Sequence, residues 1–127
     1  MSVECRILVG LTLEFGRDLT SEDFRRADVI TERHPELDEY EYHRDDREGK
    51  LLLIGDGMNG QFLRLIVVDK LIDGGSLGEA DEFIELPAAA TCFNKELIDK
   101  MSALYEEYTG EKPTLSDFKY AMWSQWY

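Results

Sequence analysis

The stretch LLLIGDGMNGQFLRLIVV, Leu51 to Val68, decides how the rest of the chain is read. Its glycines at 55, 57 and 60 have the G-x-G-x-x-G spacing of a dinucleotide-binding loop. In that loop the glycines follow a strand and open a helix, and an acid about 20 residues further on holds the ribose. Here they precede FLRLIVVD, whose β-branched run favours a strand. Asp56-Gly57 and Asn59-Gly60 are turn dipeptides, because glycine takes positive φ without steric penalty. Asp73 lies at a tempting distance, but within the turn-like DGGSLG rather than at a strand end. The stretch therefore predicts a β-hairpin. A helix over residues 61–72 is the alternative that would restore phosphate binding.

Outward from the hairpin, the N-terminal side carries the clearest alternation. Val3, Cys5, Ile7, Val9, Leu11, Leu13 and Phe15 are all apolar at odd positions, which predicts one long strand burying one face. Thr20 and Ser21 precede Glu22 and Asp23, a helix start with acids at its positive end. Phe24, Ala27, Ile30 and His34 share the apolar face of that helix, and Pro35 stops it. In ELDEYEY, Tyr40 and Tyr42 alternate with Glu39 and Glu41, which predicts a short strand.

Beyond the hairpin, DEFIEL alternates again and predicts a strand at 82–86. Leu97, Ile98, Met101, Leu104, Tyr105 and Tyr108 form one side of an amphipathic helix, closed by Gly110. A last helix is predicted after Thr114, with Leu115, Phe118, Met122 and Trp126 on a common side. The order β-α-β-β-β-β-α-α indicates a single α+β domain over residues 1–127. Its antiparallel-rich sheet would have about five strands, with helices packed on one face.

Charge is the outlying property: 27 acidic against 14 basic residues give −13. Direct binding to nucleic acid or to an anionic membrane surface is opposed by that sign, and a basic protein partner is favoured. The excess is concentrated in two stretches. Residues 28–48 hold nine acids against Arg33, Arg44 and Arg47, and residues 73–85 hold five acids and no base. The candidate partner-binding carboxylates are Glu36, Asp38, Glu39, Glu41, Asp45, Asp46, Glu48, Asp73, Glu79, Asp81 and Glu82. On a strand, Glu39 and Glu41 would share a face at about 6 to 7 Å, near the spacing of successive phosphates.

No catalytic constellation, cofactor motif or clustered metal-ligand set stands out. The string HRD at His43 lacks the other parts of a kinase, and Ser76 in GGSLG is not a nucleophile elbow. Cys5 and Cys92 are single and on apolar faces, which predicts buried thiols in a reducing cytoplasm. No run of 18 apolar residues and no secretory leader pattern is present.

The expectation is a small acidic non-enzymatic binding or inhibitor protein that engages a basic protein surface, in the manner of a nucleic-acid mimic. Anti-restriction and anti-CRISPR proteins and toxin-neutralising immunity proteins are similar in size and charge, a resemblance of composition and not of motif. Two other classes stay open. One is a small-molecule or metal-dependent enzyme using His43, Asp45, Asp46 and the loop 74–78. The other is a structural subunit or homodimer joined through the aromatic C-terminus, Phe118, Tyr120, Trp123, Trp126 and Tyr127.

Overall fold

A computed structural model of the chain describes residues 5–17, 19–43, 46–56, 62–73 and 94–126. The long alternating stretch is a strand, β1 (Cys5–Arg17), followed by helix α1 (Ser21–Arg33). The hairpin is formed by β2 (Leu51–Asp56) and β3 (Phe62–Asp73). Helix α2 (Lys95–Thr109) and a last strand β4 (Phe118–Trp126) complete the order. The four strands form one sheet in the order β2-β3-β1-β4, with every neighbouring pair antiparallel. The class is α+β, as expected.

The hairpin answers the nucleotide question. Leu51 pairs with Val67 and Asp56 with Phe62, so Gly55 lies inside a strand and residues 62–73 are a strand and not a helix. Asp73 is the last residue of β3, not part of a turn. Gly57 and Gly60 lie outside the described residues, as do the expected strand at 82–86 and Cys92.

Both helices begin where the sequence places them. The Thr20 side chain and the Asp23 carboxylate form a reciprocal capping box at the start of α1. The Asn94 carboxamide accepts from the backbone N–H groups of Glu96 and Leu97 at the start of α2. Gly110 ends α2 at φ +81°, a left-handed residue that costs glycine little. Ala27 and Ile30 of α1 and Met101, Leu104 and Tyr108 of α2 join Leu11, Leu13 and Phe15 of β1 in one apolar cluster. Phe15 and Tyr108 stack with their rings 4.7 Å apart. Both helices thus cover the odd-numbered face of β1.

Two of the expected elements need correction. The segment ELDEYEY is not a strand. Pro35–Leu37 and Glu39–Glu41 are short 3-10 turns, and only Asp38 bridges the sheet, in parallel to Leu53. Pro35 opens the first turn, and the Asp38 carboxylate accepts from the Tyr40 N–H at 3.0 Å to open the second. Such local side-chain bonds compete with a ladder. The second correction is that residues 118–126 are not a helix but β4, paired along β1 from Leu13–Phe118 to Cys5–Trp126. FKYAMWSQW is rich in aromatics that favour a half-buried strand, and period two fits it as well as period 3.6. The described strands therefore number four rather than five.

The other face of the sheet is also occupied, contrary to a one-sided reading of β1. Leu8, Leu52, Ile66 and Val68 are fully buried there with Ile54, under Tyr42, Phe62, Leu71 and Trp123. Each such side chain contributes about 2 kcal/mol of burial. Cys5 is half-buried rather than enclosed.

Candidate functional site

The acidic residues of 36–48 follow α1 directly, and the structure sorts them by what each carboxylate touches. Leu37, fully buried in the helix-side cluster, pins the segment against the sheet. Glu36 accepts from the Lys100 ammonium at 2.8 Å and lies 3.6 Å from His34. That lysine hydrogen bond is the main reason its carboxyl is held below the ordinary glutamate range. Asp38 is spent on the turn described above.

Glu39 is inside. It is only 6% exposed, so it is not the surface carboxylate expected beside Glu41. Its Oε2 accepts from the Gln125 amide at 2.8 Å and lies 3.5 Å from Arg47 Nη1. Arg47, 2% exposed, donates in turn to Gln125 Oε1 at 2.7 Å. The three side chains form a buried polar network joining the acidic segment to β4. Because the backbone here is a 3-10 turn, Glu39 and Glu41 do not share a face, and the phosphate-like spacing is lost.

Glu48 accepts from the Leu71 N–H at 2.9 Å, beside the part of β3 that extends past the paired start of β2. Asp73 faces Arg6 at 3.4 Å. Glu41 and Asp46 are exposed, as are Asp28 and Glu32 on α1, and none of these four forms an ion pair with a described residue. Asp45, Glu79, Asp81 and Glu82 lie outside the described residues. Tyr40 is 79% exposed beside Glu41, whereas Tyr42 is half-buried and donates its hydroxyl to the Glu36 carbonyl.

Sequence reasoning missed a groove on the sheet face away from the helices. Thr12, Ile54, Arg64, Ile66, Ala121 and Trp123 are among the residues around an open space of about 220 Å³. Phe62 meets Trp123 edge-on at 5.7 Å along its wall. The Arg64 guanidinium lies 3.4 Å from Glu14, and the Thr12 hydroxyl donates to the Lys119 carbonyl at 2.8 Å. The signals for this face in the sequence were the apolar Leu8 and the small Gly10 at even positions of the first strand, and the continuous apolar runs LLLI and LIVV of the hairpin. The Arg64 Nε is buried there without a hydrogen-bond partner, and the walls are otherwise largely apolar.

Of the residues considered for catalysis, His43 is exposed and accepts at its backbone carbonyl from the Asp46 N–H. Asp45 and the loop 74–78 are outside the described residues. Among the described residues, no three His, Cys, Asp or Glu side chains come together as a metal site. No helix among them is long and apolar enough to cross a membrane. No family model, no curated protein and no solved structure matches this chain.

Proposed function

We propose that this chain is a non-enzymatic binding protein that presents carboxylates to a basic protein surface. The observation that supports this reading most is the division among its acids. Glu36, Asp38, Glu39, Glu48 and Asp73 are tied to partners within the fold, while Asp28, Glu32, Glu41 and Asp46 face solvent on a chain of net charge −13. Carboxylates left without an internal counter-ion repel one another. Docking of arginine and lysine side chains relieves that repulsion and forms charge-assisted hydrogen bonds. A partner that uses those cations to grip phosphate would be blocked from nucleic acid while bound, which is the action of an inhibitor. Long-range attraction also speeds encounter, so the effect falls mainly on association rate.

The test is capture by the tagged chain in a salt series, beside the variant Asp28→Lys/Glu32→Lys/Glu41→Lys/Asp46→Lys. A basic protein held by the wild type at low salt, released at high salt and not held by the variant supports the proposal. Equal retention by both chains would refute it. Glu39 is left intact because its reversal would disrupt the buried network instead.

A further inference from the structure

We propose that the groove on the sheet face away from the helices binds a small aromatic carboxylate, its ring against Phe62 and Trp123 and its carboxylate on Arg64. This inference does not rest on the acidic-surface reading: it concerns a different face, and its ligand is an anion rather than a basic protein.

The groove has two halves that meet at Arg64. The apolar half is the space of about 220 Å³ bordered by Ile54, Phe62, Ile66 and Trp123. A second open space, of about 200 Å³, shares Thr12 and Arg64 with it and is bordered by Glu14, Asp117 and Lys119. Ala121, paired with Gly10 of β1, offers only a methyl between Lys119 and Trp123, which leaves the depression between them.

Arg64 is where the groove is incomplete. Its side chain is 22% exposed, and Glu14 approaches it at 3.4 Å, beyond the roughly 2.8 Å of a charge-assisted hydrogen bond. Among the described residues, nothing accepts a hydrogen bond from this guanidinium. Five N–H donors left without acceptors in a mostly enclosed setting cost free energy, and an incoming acceptor recovers it. Because Nε is enclosed, a ligand reaches the guanidinium along its Nη1–Nη2 edge. A carboxylate laid along that edge accepts two parallel bonds.

The surrounding charges favour an anion there. Lys119 is exposed and forms no ion pair with a described residue. Asp117 already accepts from the N–H and the hydroxyl of Thr114. Glu14 is the opposing charge, and its loose hold on Arg64 is what the ligand carboxylate shares or displaces. The walls favour a flat body. Phe62 and Trp123 meet edge-on, and a ring packs against such aromatic surfaces beside Ile54 and Ile66.

The test is titration of the full chain with naphthoate and with the neutral naphthamide, read by calorimetry and by backbone amide shifts. Naphthoate should bind at least about tenfold more tightly than naphthamide, since only the charged group makes the paired bonds to arginine. Arg64→Met, which keeps an aliphatic stem, should abolish that preference. Lys119→Gln should weaken naphthoate about threefold, as expected for one exposed charge. The shifts should centre on Thr12, Arg64, Ala121 and Trp123. Absence of binding at millimolar naphthoate, equal affinity for the two probes, an unchanged preference in Arg64→Met, or shifts centred on α1 and α2 would each overturn the proposal. If Arg64→Met fails to fold, the two probes and the shifts on the wild type still decide it. None of these outcomes bears on capture of a basic protein through Asp28, Glu32, Glu41 and Asp46.

Discussion

Glu39 and Glu41 stand on the same 3-10 turn in opposite surroundings, one enclosed with Arg47 and Gln125 and the other in water. Truncating one member of a buried ion pair leaves the other charge without its counter-ion, whereas an exposed glutamate is nearly neutral to stability. Glu39→Ala is therefore expected to cost about 3 kcal/mol in urea unfolding, and Glu41→Ala less than about 0.5 kcal/mol. Asp23 and Glu36 report in a different way. The Thr20 N–H, followed by Arg26, holds the Asp23 carboxyl below its ordinary range, and Lys100 does the same for Glu36. Since both folded values lie below the unfolded ones, their stabilisation is present at neutral pH. It fades as pH falls through the lowered values. Asp23→Asn and Glu36→Gln should each narrow the difference in urea midpoint between about pH 7 and about pH 3. A difference equal to that of the wild type would count against these assignments.

At the scale of elements, the capping box makes α1 sensitive at its first residue. Thr20→Ala removes the acceptor for the Asp23 N–H and should lower stability by about 1 kcal/mol. Strand β1 depends on Gly10 for a different reason. Its pairing with β3 shifts between Val9 and Gly10, and a Cβ at Gly10 would lie 1.7 Å from the Val67 carbonyl oxygen. Backbone cannot yield as a side-chain tip can, so Gly10→Ala should prevent a stable fold, seen as loss of the cooperative thermal transition. Helices and hairpin were legible because capping residues, turn dipeptides and apolar periodicity are local signals. The nature of 118–126 was not. Phe118 and Tyr120 pack on the helix side and Trp123 on the other only because β1 lies beside them. Without that neighbour the same string reads equally well as one helical stripe.

Over the whole molecule, the excess negative charge opposes compaction in every element at once. Raising salt from about 10 mM to about 150 mM should raise the thermal midpoint of the wild type, because the screening length falls from about 30 Å to about 8 Å. The fourfold reversal at Asp28, Glu32, Glu41 and Asp46 brings net charge nearer zero and should flatten that dependence while leaving the fold intact. Of the candidate acids, the cluster at 36–48 was visible from composition. Which of its members remain available to a partner was not, since that depends on where Lys100, Leu71, Arg47 and Gln125 arrive from elsewhere in the chain.

Taken by itself, the order of residues determined the α+β class, the long first strand, both capped helices, the hairpin and the sign of the surface. Each of these follows from contacts within a few residues or from a sum over the chain. Only the tertiary structure decided that Glu39 is enclosed, that the C-terminal aromatics form an edge strand, and that the sheet has a second occupied face. Those outcomes depend on side chains such as Glu39 and Gln125, 86 positions apart, and their burial exists only once the strands have paired.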